Sequence, residues 1–407
     1  MKFCSFGYIQ IYQPIAWKKT LIDKPDQLPS RPNFSSGPCV KRPGWNIGCL
    51  GNSALLGRSH RSAECQKQLE FVVELTKETL AIPDDYLVAI VPGSNTGAFE
   101  TALWSMLGPL PVDVLTWESF GSGWVYDIEE QLALKDVRVL SARYGDISNL
   151  SSVRENSDIC FTWNGTTSGV RVPNADWISE NRIGMTFCDA TSAIFAQDLA
   201  WEKLDVTTFS WQKAMGGEGG HGVLILSPKA ISRLREFVPD RPIPKIFRLG
   251  KEKVINFDLF QGKTINTPSM LCVADALDSL LWIKKLGGWK ATCERSSNNF
   301  QIVSDWYSQR EWITNLVKRV DIQSNSSVCL QIIDRQFLEL SDSEKWEFIN
   351  EMTSILEQQE AAFDIKSHRD APPGLRIWCG PTVETEDLRR LLPWLDWSFQ
   401  YIKTKNF

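Results

Sequence analysis

The chain has 407 residues, enough for two domains, and its 43% apolar and 23% charged content is that of an ordinary globular protein. A net charge of −5 without a long basic run argues against a nucleic-acid surface, and no apolar run approaches the roughly 18 residues that span a bilayer. The ten cysteines form no C-x-x-C pair and sit mostly in apolar runs, as buried reduced thiols of a cytosolic protein do; the three histidines lack metal-ligand spacing.

Met1–Tyr12 lacks a basic region, an apolar core and a small-residue cleavage site, so it does not read as a secretory signal. Residues 1–30 are set apart as an extension of unknown role: a flexible tail, an arm packed on a partner and an early start codon all fit. Glu64–Leu80 then places Cys65, Leu69, Val72, Val73 and Leu80 at helical spacing. Strands are predicted at Leu87–Val91, Val112–Thr116, Val137–Ser141, Ile159–Trp163, Met185–Cys188, Val206–Ser210 and Val223–Leu226, with helices at Gly97–Leu107 and Val125–Leu134. Several of these strands are apolar on both faces, which predicts an α/β fold with a mostly parallel sheet covered by helices. After about residue 284 the alternation stops. Helices at Trp289–Trp306, Ser343–Ala361 and Thr385–Ile402 and strands at Val328–Ile333 and Leu375–Trp378 predict a smaller α+β C-terminal domain.

Ligands of such sheets sit beyond the carboxyl ends of the strands, so the residues just after each strand are the candidates. Ser94-Asn95-Thr96 after the first strand opens a helix, which suits either a phosphate or an ordinary cap. Trp117-Glu118-Ser119-Phe120 follows the second and offers an aromatic for stacking on a flat ring or for core packing. Asn164–Gly169 is a hydroxyl-rich turn. Asp189 ends an apolar strand, where a carboxylate needs a partner such as a protonated pyridine, a helix cap or a salt bridge. Lys213 lies 24 positions on, between a strand end and the glycine-rich Gly216–Gly222, where a desolvated amine becomes nucleophilic. The lysine precedes the glycines, unlike a Walker loop. Two of the three histidines are followed by arginine, His60-Arg61 and His368-Arg369, and Arg376 interrupts an apolar strand. Each alone suits a salt bridge; together they describe a substrate with two anionic ends.

From about Arg31 onward the chain resembles the phosphoserine aminotransferase family, pyridoxal-phosphate enzymes of aminotransferase fold type I, class V. The resemblance is carried by Arg31–Cys39 (RPNFSSGPC), Leu56–Arg61 (LGRSHR), Phe161–Gly169 (FTWNGTTSG), Cys188–Ser192 (CDATS), Ser210–Lys213 (SWQK) and Ile265–Ser269 (INTPS). It implies a large cofactor-binding domain over 31–284 with a seven-stranded sheet, a small domain over 285–407, and residues 31–49 packing with the small domain. Lys213 would hold the cofactor aldehyde and Asp189 the pyridine nitrogen. Phe120 would stack on the ring, and Thr166 would bond its hydroxyl. Ser94, Asn95, Thr191 and Gln212 would hold the phosphate and its surroundings, with Asn266 and Thr267 reaching it from the other subunit of a homodimer. Arg376 would clamp a substrate carboxylate; His60, Arg61, His368 and Arg369 would bind its phosphate, one pair crossing the interface. The implied reaction moves the amino group of glutamate to 3-phosphohydroxypyruvate, giving phosphoserine and 2-oxoglutarate for serine biosynthesis, with the four-carbon phospho analogue of pyridoxine biosynthesis as a further substrate. The implied location is cytoplasmic, without nucleic-acid or membrane partners. The alternatives are a serine–glyoxylate aminotransferase, a cysteine desulfurase, and a non-catalytic cofactor-binding regulator.

Overall fold

A computed structural model describes residues 23–406. Most of the predicted extension, residues 1–22, lies outside the described residues; Gln27 and Ser30 are held on the C-terminal helix, the Gln27 carbonyl by Trp394 Nε1 (2.9 Å) and the Ser30 N–H by Asp387 (2.7 Å).

The large domain is built on one seven-stranded sheet of β1 (Leu87–Pro92), β2 (Val112–Thr116), β3 (Val137–Ser141), β4 (Asp158–Thr162), β5 (Thr186–Asp189), β6 (Val206–Ser210) and β7 (His221–Leu226), in the spatial order β1-β7-β6-β5-β4-β2-β3. Every neighbouring pair is parallel except the two that involve β7. The strands buried on both faces sit in the middle because both sides of the sheet are covered; β2, β4, β5, β6 and β7 have no exposed residue. Asp113 on β2 is buried as well, and it is tolerated because Arg138 and Arg154 both bond its carboxylate, tying β2 to β3.

Helices α1 (Ala63–Leu80), α2 (Ser94–Met106), α3 (Ser119–Tyr126), α4 (Pro228–Glu236) and α5 (Met270–Leu286) surround this sheet. Helix α1 begins where Ser62 accepts the N–H of Cys65, and all five apolar residues predicted for its inner face are buried, each contributing about 1.5–3 kcal/mol for the larger side chains. Two expectations are corrected. The helix predicted at Val125–Leu134 starts at Ser119 and passes into a π turn at Asp127–Gln131, because Glu118 caps it by accepting the N–H of Gly121 at 2.8 Å. The alternation of strand and helix also fails between β5 and β6, where only the 3-10 turn Trp201–Lys203 intervenes.

The small domain carries the antiparallel strands β8 (Ile313–Asn315), β9 (Ser327–Ile332) and β10 (Gly374–Trp378), with α6 (Trp289–Ser308), the short α7 (Arg335–Leu338), α8 (Asp342–Gln358) and α9 (Thr385–Asn406). Residues 32–34 join it, since Phe363 N–H bonds the Pro32 carbonyl and Trp378 N–H that of Phe34. The segment then returns to the large domain, where Cys39 N–H bonds the Gln212 carbonyl. Among the described residues nine cysteines are free, and no helix is long and apolar enough to cross a membrane.

Candidate active site

The strand directions determine where a site forms. With β1, β2, β4, β5 and β6 parallel, their carboxyl ends share one edge, and the reversed β7 begins at that same edge. A cavity of about 310 Å³ opens there, lined by Ser94-Asn95-Thr96 after β1, Glu118 and Phe120 after β2, Asn164 and Thr166 after β4, Asp189 and Thr191 at β5, Gln212-Lys213 after β6, and Gly219-Gly220 before β7. Gly37 and Pro38 of the N-terminal segment close it from above Lys213, for a Cβ on Gly37 would lie 2.8 Å from the Lys213 Nζ. The predicted Ser94, Asn95, Phe120, Thr166, Asp189, Thr191, Gln212 and Lys213 therefore meet in one cavity.

Lys213 is buried and its Nζ donates to the Ser36 carbonyl. Burial lowers its pKa; Cys39 opposes this next most strongly, Arg376 lowers it further, and Asp189 and Glu118 raise it by less. A neutral amine, the nucleophilic form, is thereby favoured. Asp189 is pushed up by burial but is bonded by Thr191 Oγ1 (2.6 Å), Thr191 N–H (3.0 Å) and Trp124 Nε1 (3.3 Å), all of which hold it down.

The arrangement fits pyridoxal phosphate. Asn95 Oδ1, Gln212 Oε1 and Thr162 Oγ1 are buried at the cavity without a protein partner, a costly state that a polar ligand relieves. Helix α2 is 13 residues long and its cap, Gly93, offers no side-chain acceptor, so N–H groups of its first turn remain for an anion. Ser94 has a left-handed φ of 55°, and Gly222 of β7 lets its carbonyl approach so closely that a Cβ would lie 2.2 Å away.

Other predicted residues lie around this cavity. The Phe120 ring, 47% exposed, is 6.1 Å from the His368 ring, which brings the small-domain His-Arg pair to the cavity mouth. Arg376 on β10 has a buried, unpartnered Nε. The Thr166 hydroxyl donates to Ser192 at 2.8 Å, leaving its lone pairs for a donor. His60, Arg61, Asn266 and Thr267 do not line the cavity of their own chain.

Glu118, Trp124 and Asn164 line the cavity but were not among the predicted site residues. Trp124 had a readable signal, since it stands one helical turn after Phe120 and on the same face. Glu118 had its place two residues after β2. It is fully enclosed, and burial pushes its carboxyl up to about 7, against hydrogen bonds from Gly121 and Thr167. Because the folded protein holds this proton to about pH 7 while the unfolded chain releases it near 4.5, stability falls as pH rises through that window. Glu118→Gln removes the loss: between pH 5 and pH 8 the cofactor-free wild type should lose on the order of 3 kcal/mol relative to the variant. Parallel thermal melts across that range test this, and a pH-independent gap would show that the carboxyl titrates normally.

A lysine and an aspartate on the ends of adjacent parallel strands, beside the open first turn of α2, fit the class to which the chain belongs: the pyridoxal-phosphate-dependent aminotransferases of fold type I. A phosphoserine aminotransferase of Methanosarcina barkeri is 51% identical over 380 residues, 93% of this chain and 100% of the relative. Among solved structures, phosphoserine aminotransferases of Cytophaga hutchinsonii and Bacillus circulans subsp. alkalophilus superpose with TM-scores of 0.73 and 0.72. They are 18% and 17% identical, and the matches cover 91% and 92% of this chain and 99% and 98% of theirs. No family model matches. The chain belongs to the phosphoserine aminotransferase family.

Proposed function

We propose that this chain transfers the amino group of glutamate to 3-phosphohydroxypyruvate, in the cytoplasm and as a homodimer with shared active sites, with 31–284 as its cofactor-binding domain and 285–407 as its small domain. The observation that carries the reading is the cavity in which Lys213 and Asp189 meet beside the α2 cradle, with His368 at its mouth. Bound there, pyridoxal phosphate supplies an aldehyde that accepts an amino group and a ring that withdraws electrons. Lys213, Asp189, Ser94, Asn95, Thr166 and Gln212 would hold it. The Lys213 amine, its pKa lowered by burial, takes a proton from the substrate Cα and returns one, as general base and then acid. Asp189, raised by burial but opposed by its three hydrogen bonds, faces the place where the cofactor's ring nitrogen would sit and would pair with it. Arg376 receives the substrate α-carboxylate, and the His-Arg pairs receive the phosphate.

The dimer is supported by residues that the single chain leaves idle. His60, Arg61, Asn266 and Thr267 stand outside their own cavity, on segments next to α1 and α5, which pack on each other. Exposed apolar Leu56, Phe71 and Leu271 lie on the same elements, as a face covered by a second copy would have. A desulfurase is disfavoured because among the described residues no cysteine lines the cavity, and Cys39, near Lys213 and Arg376, is a buried thiol pushed up to about 12.

The test is a coupled assay of phosphoserine with 2-oxoglutarate beside unphosphorylated serine. Phosphoserine should be preferred by about 10²-fold or more in kcat/KM, because the charged donors of the His-Arg pairs gain no partner from a substrate that lacks the phosphate. Equal values for the two would defeat the phosphate reading.

A further inference from the structure

The loop that carries His368 and Arg369 also carries a carboxylate with no assigned part, Asp370. Its carboxylate accepts the Ser119 hydroxyl at 2.7 Å, lies 3.5 Å from His368 Nδ1 and 3.8 Å from Arg369 Nε, and its own N–H lies 3.4 Å from His368 Nδ1. Ser119 is the first residue of α3 and adjoins Phe120, whose ring faces that of His368. An anion of the chain itself therefore sits among the donors offered to the substrate.

We propose that Ser119 belongs to the substrate's anion subsite and that Asp370 is the built-in competitor for it: a substrate phosphate enters by replacing the Asp370 carboxylate on Ser119, His368 and Arg369. The proposal rests on the phosphate reading of the His-Arg pair given above.

Three features favour exchange over a fixed bridge. The Asp370 side chain is half exposed and that of Arg369 largely so, so their contact is weak and water takes it over at little cost. Among the described residues only the Ser119 hydroxyl donates to the carboxylate at hydrogen-bond distance; His368 Nδ1 instead accepts the Asp370 N–H, and Arg369 Nε stands 3.8 Å off. A phosphate, with three acceptor oxygens and up to two charges, engages all three donors at once. The competition lowers affinity for any anion that must displace Asp370, and the returning carboxylate hastens product release. It also draws the small-domain loop onto the head of α3 when no anion is bound.

Inorganic phosphate titrated calorimetrically into the holoenzyme, where the cofactor's own phosphate site is filled, reads the subsite directly. Asp370→Asn should tighten phosphate binding by roughly three- to tenfold, the scale of partly exposed charge contacts. Adding Ser119→Ala to that variant should weaken it again by a similar factor. Unchanged or weaker binding in both Asp370→Asn and Asp370→Ala overturns the competitor, and a Ser119→Ala change without effect in the Asp370→Asn background overturns the assignment of Ser119. If the wild type binds no phosphate and treats serine like phosphoserine, the underlying reading has failed; if it discriminates while Asp370→Asn is unmoved, the failure belongs to Asp370 alone.

Discussion

Lys213→Ala should lower transamination by on the order of 10³-fold or more, since proton transfer alone is worth about 10²–10⁴-fold and the attachment point of the cofactor goes with it. The absorbance that the cofactor shows when bound to lysine, in roughly the 410–430 nm range, should vanish from the purified variant. A variant that keeps the band would sink the assignment. A second arm needs no activity. The cofactor-free protein buries the Lys213 amine in a cavity, and burial lowers its pKa below the ordinary 10.5. The folded state then binds this proton less readily than the unfolded chain, so the group destabilises the fold at neutral pH and stops doing so as pH rises towards 10.5. Lys213→Met keeps the length of the side chain without the charge. Cofactor-free Lys213→Met should therefore be more stable than the wild type at pH 7 by about 1–3 kcal/mol, with the gap closing on the alkaline side.

The sequence was most legible where one physical rule acts alone. Strands β2 and β6 are short runs buried on both faces, as the inner strands of a helix-covered sheet are, and their observed limits match the predicted ones. Given that sheet, the rule that ligands gather at the carboxyl ends of strands led to Asp189 and Lys213 without any view of the fold. Legibility fell where the deciding partner is distant in sequence. Helix α3 starts at Ser119 because the Glu118 carboxylate is fixed from the other side by Thr167, 49 residues later. Helix α5 was not predicted, since Met270–Leu286 is apolar nearly all round and shows little periodicity. Asp370 was passed over because nothing local says that Ser119, 251 residues earlier, lies beside it.

Asp189→Asn should cost about 10²–10³-fold in kcat, the scale of removing one preorganised electrostatic partner from a buried site. The substitution is isosteric, so the loss follows from charge and hydrogen-bond polarity. One carboxylate oxygen receives both the N–H and the hydroxyl of Thr191, and the other receives Trp124 Nε1. An asparagine has one acceptor oxygen and one donor NH2. Whichever way it turns, its NH2 meets a donor: Trp124 in one orientation, the Thr191 N–H in the other. Only the Thr191 hydroxyl can reverse its role, so a donor is left facing a donor inside the protein, at about 1–3 kcal/mol. The anion that would keep a pyridine nitrogen protonated is lost in the same step. Cofactor affinity should drop along with kcat, and equilibrium dialysis of pyridoxal phosphate reads the first without the second. Asp189→Glu serves as the control, because it restores the charge one methylene too far forward; it should recover cofactor affinity better than turnover. If Asp189→Asn and Asp189→Glu instead lower both quantities equally, Asp189 is only a strut for Thr191 and Trp124, and the charge of its carboxylate has no part in the reaction.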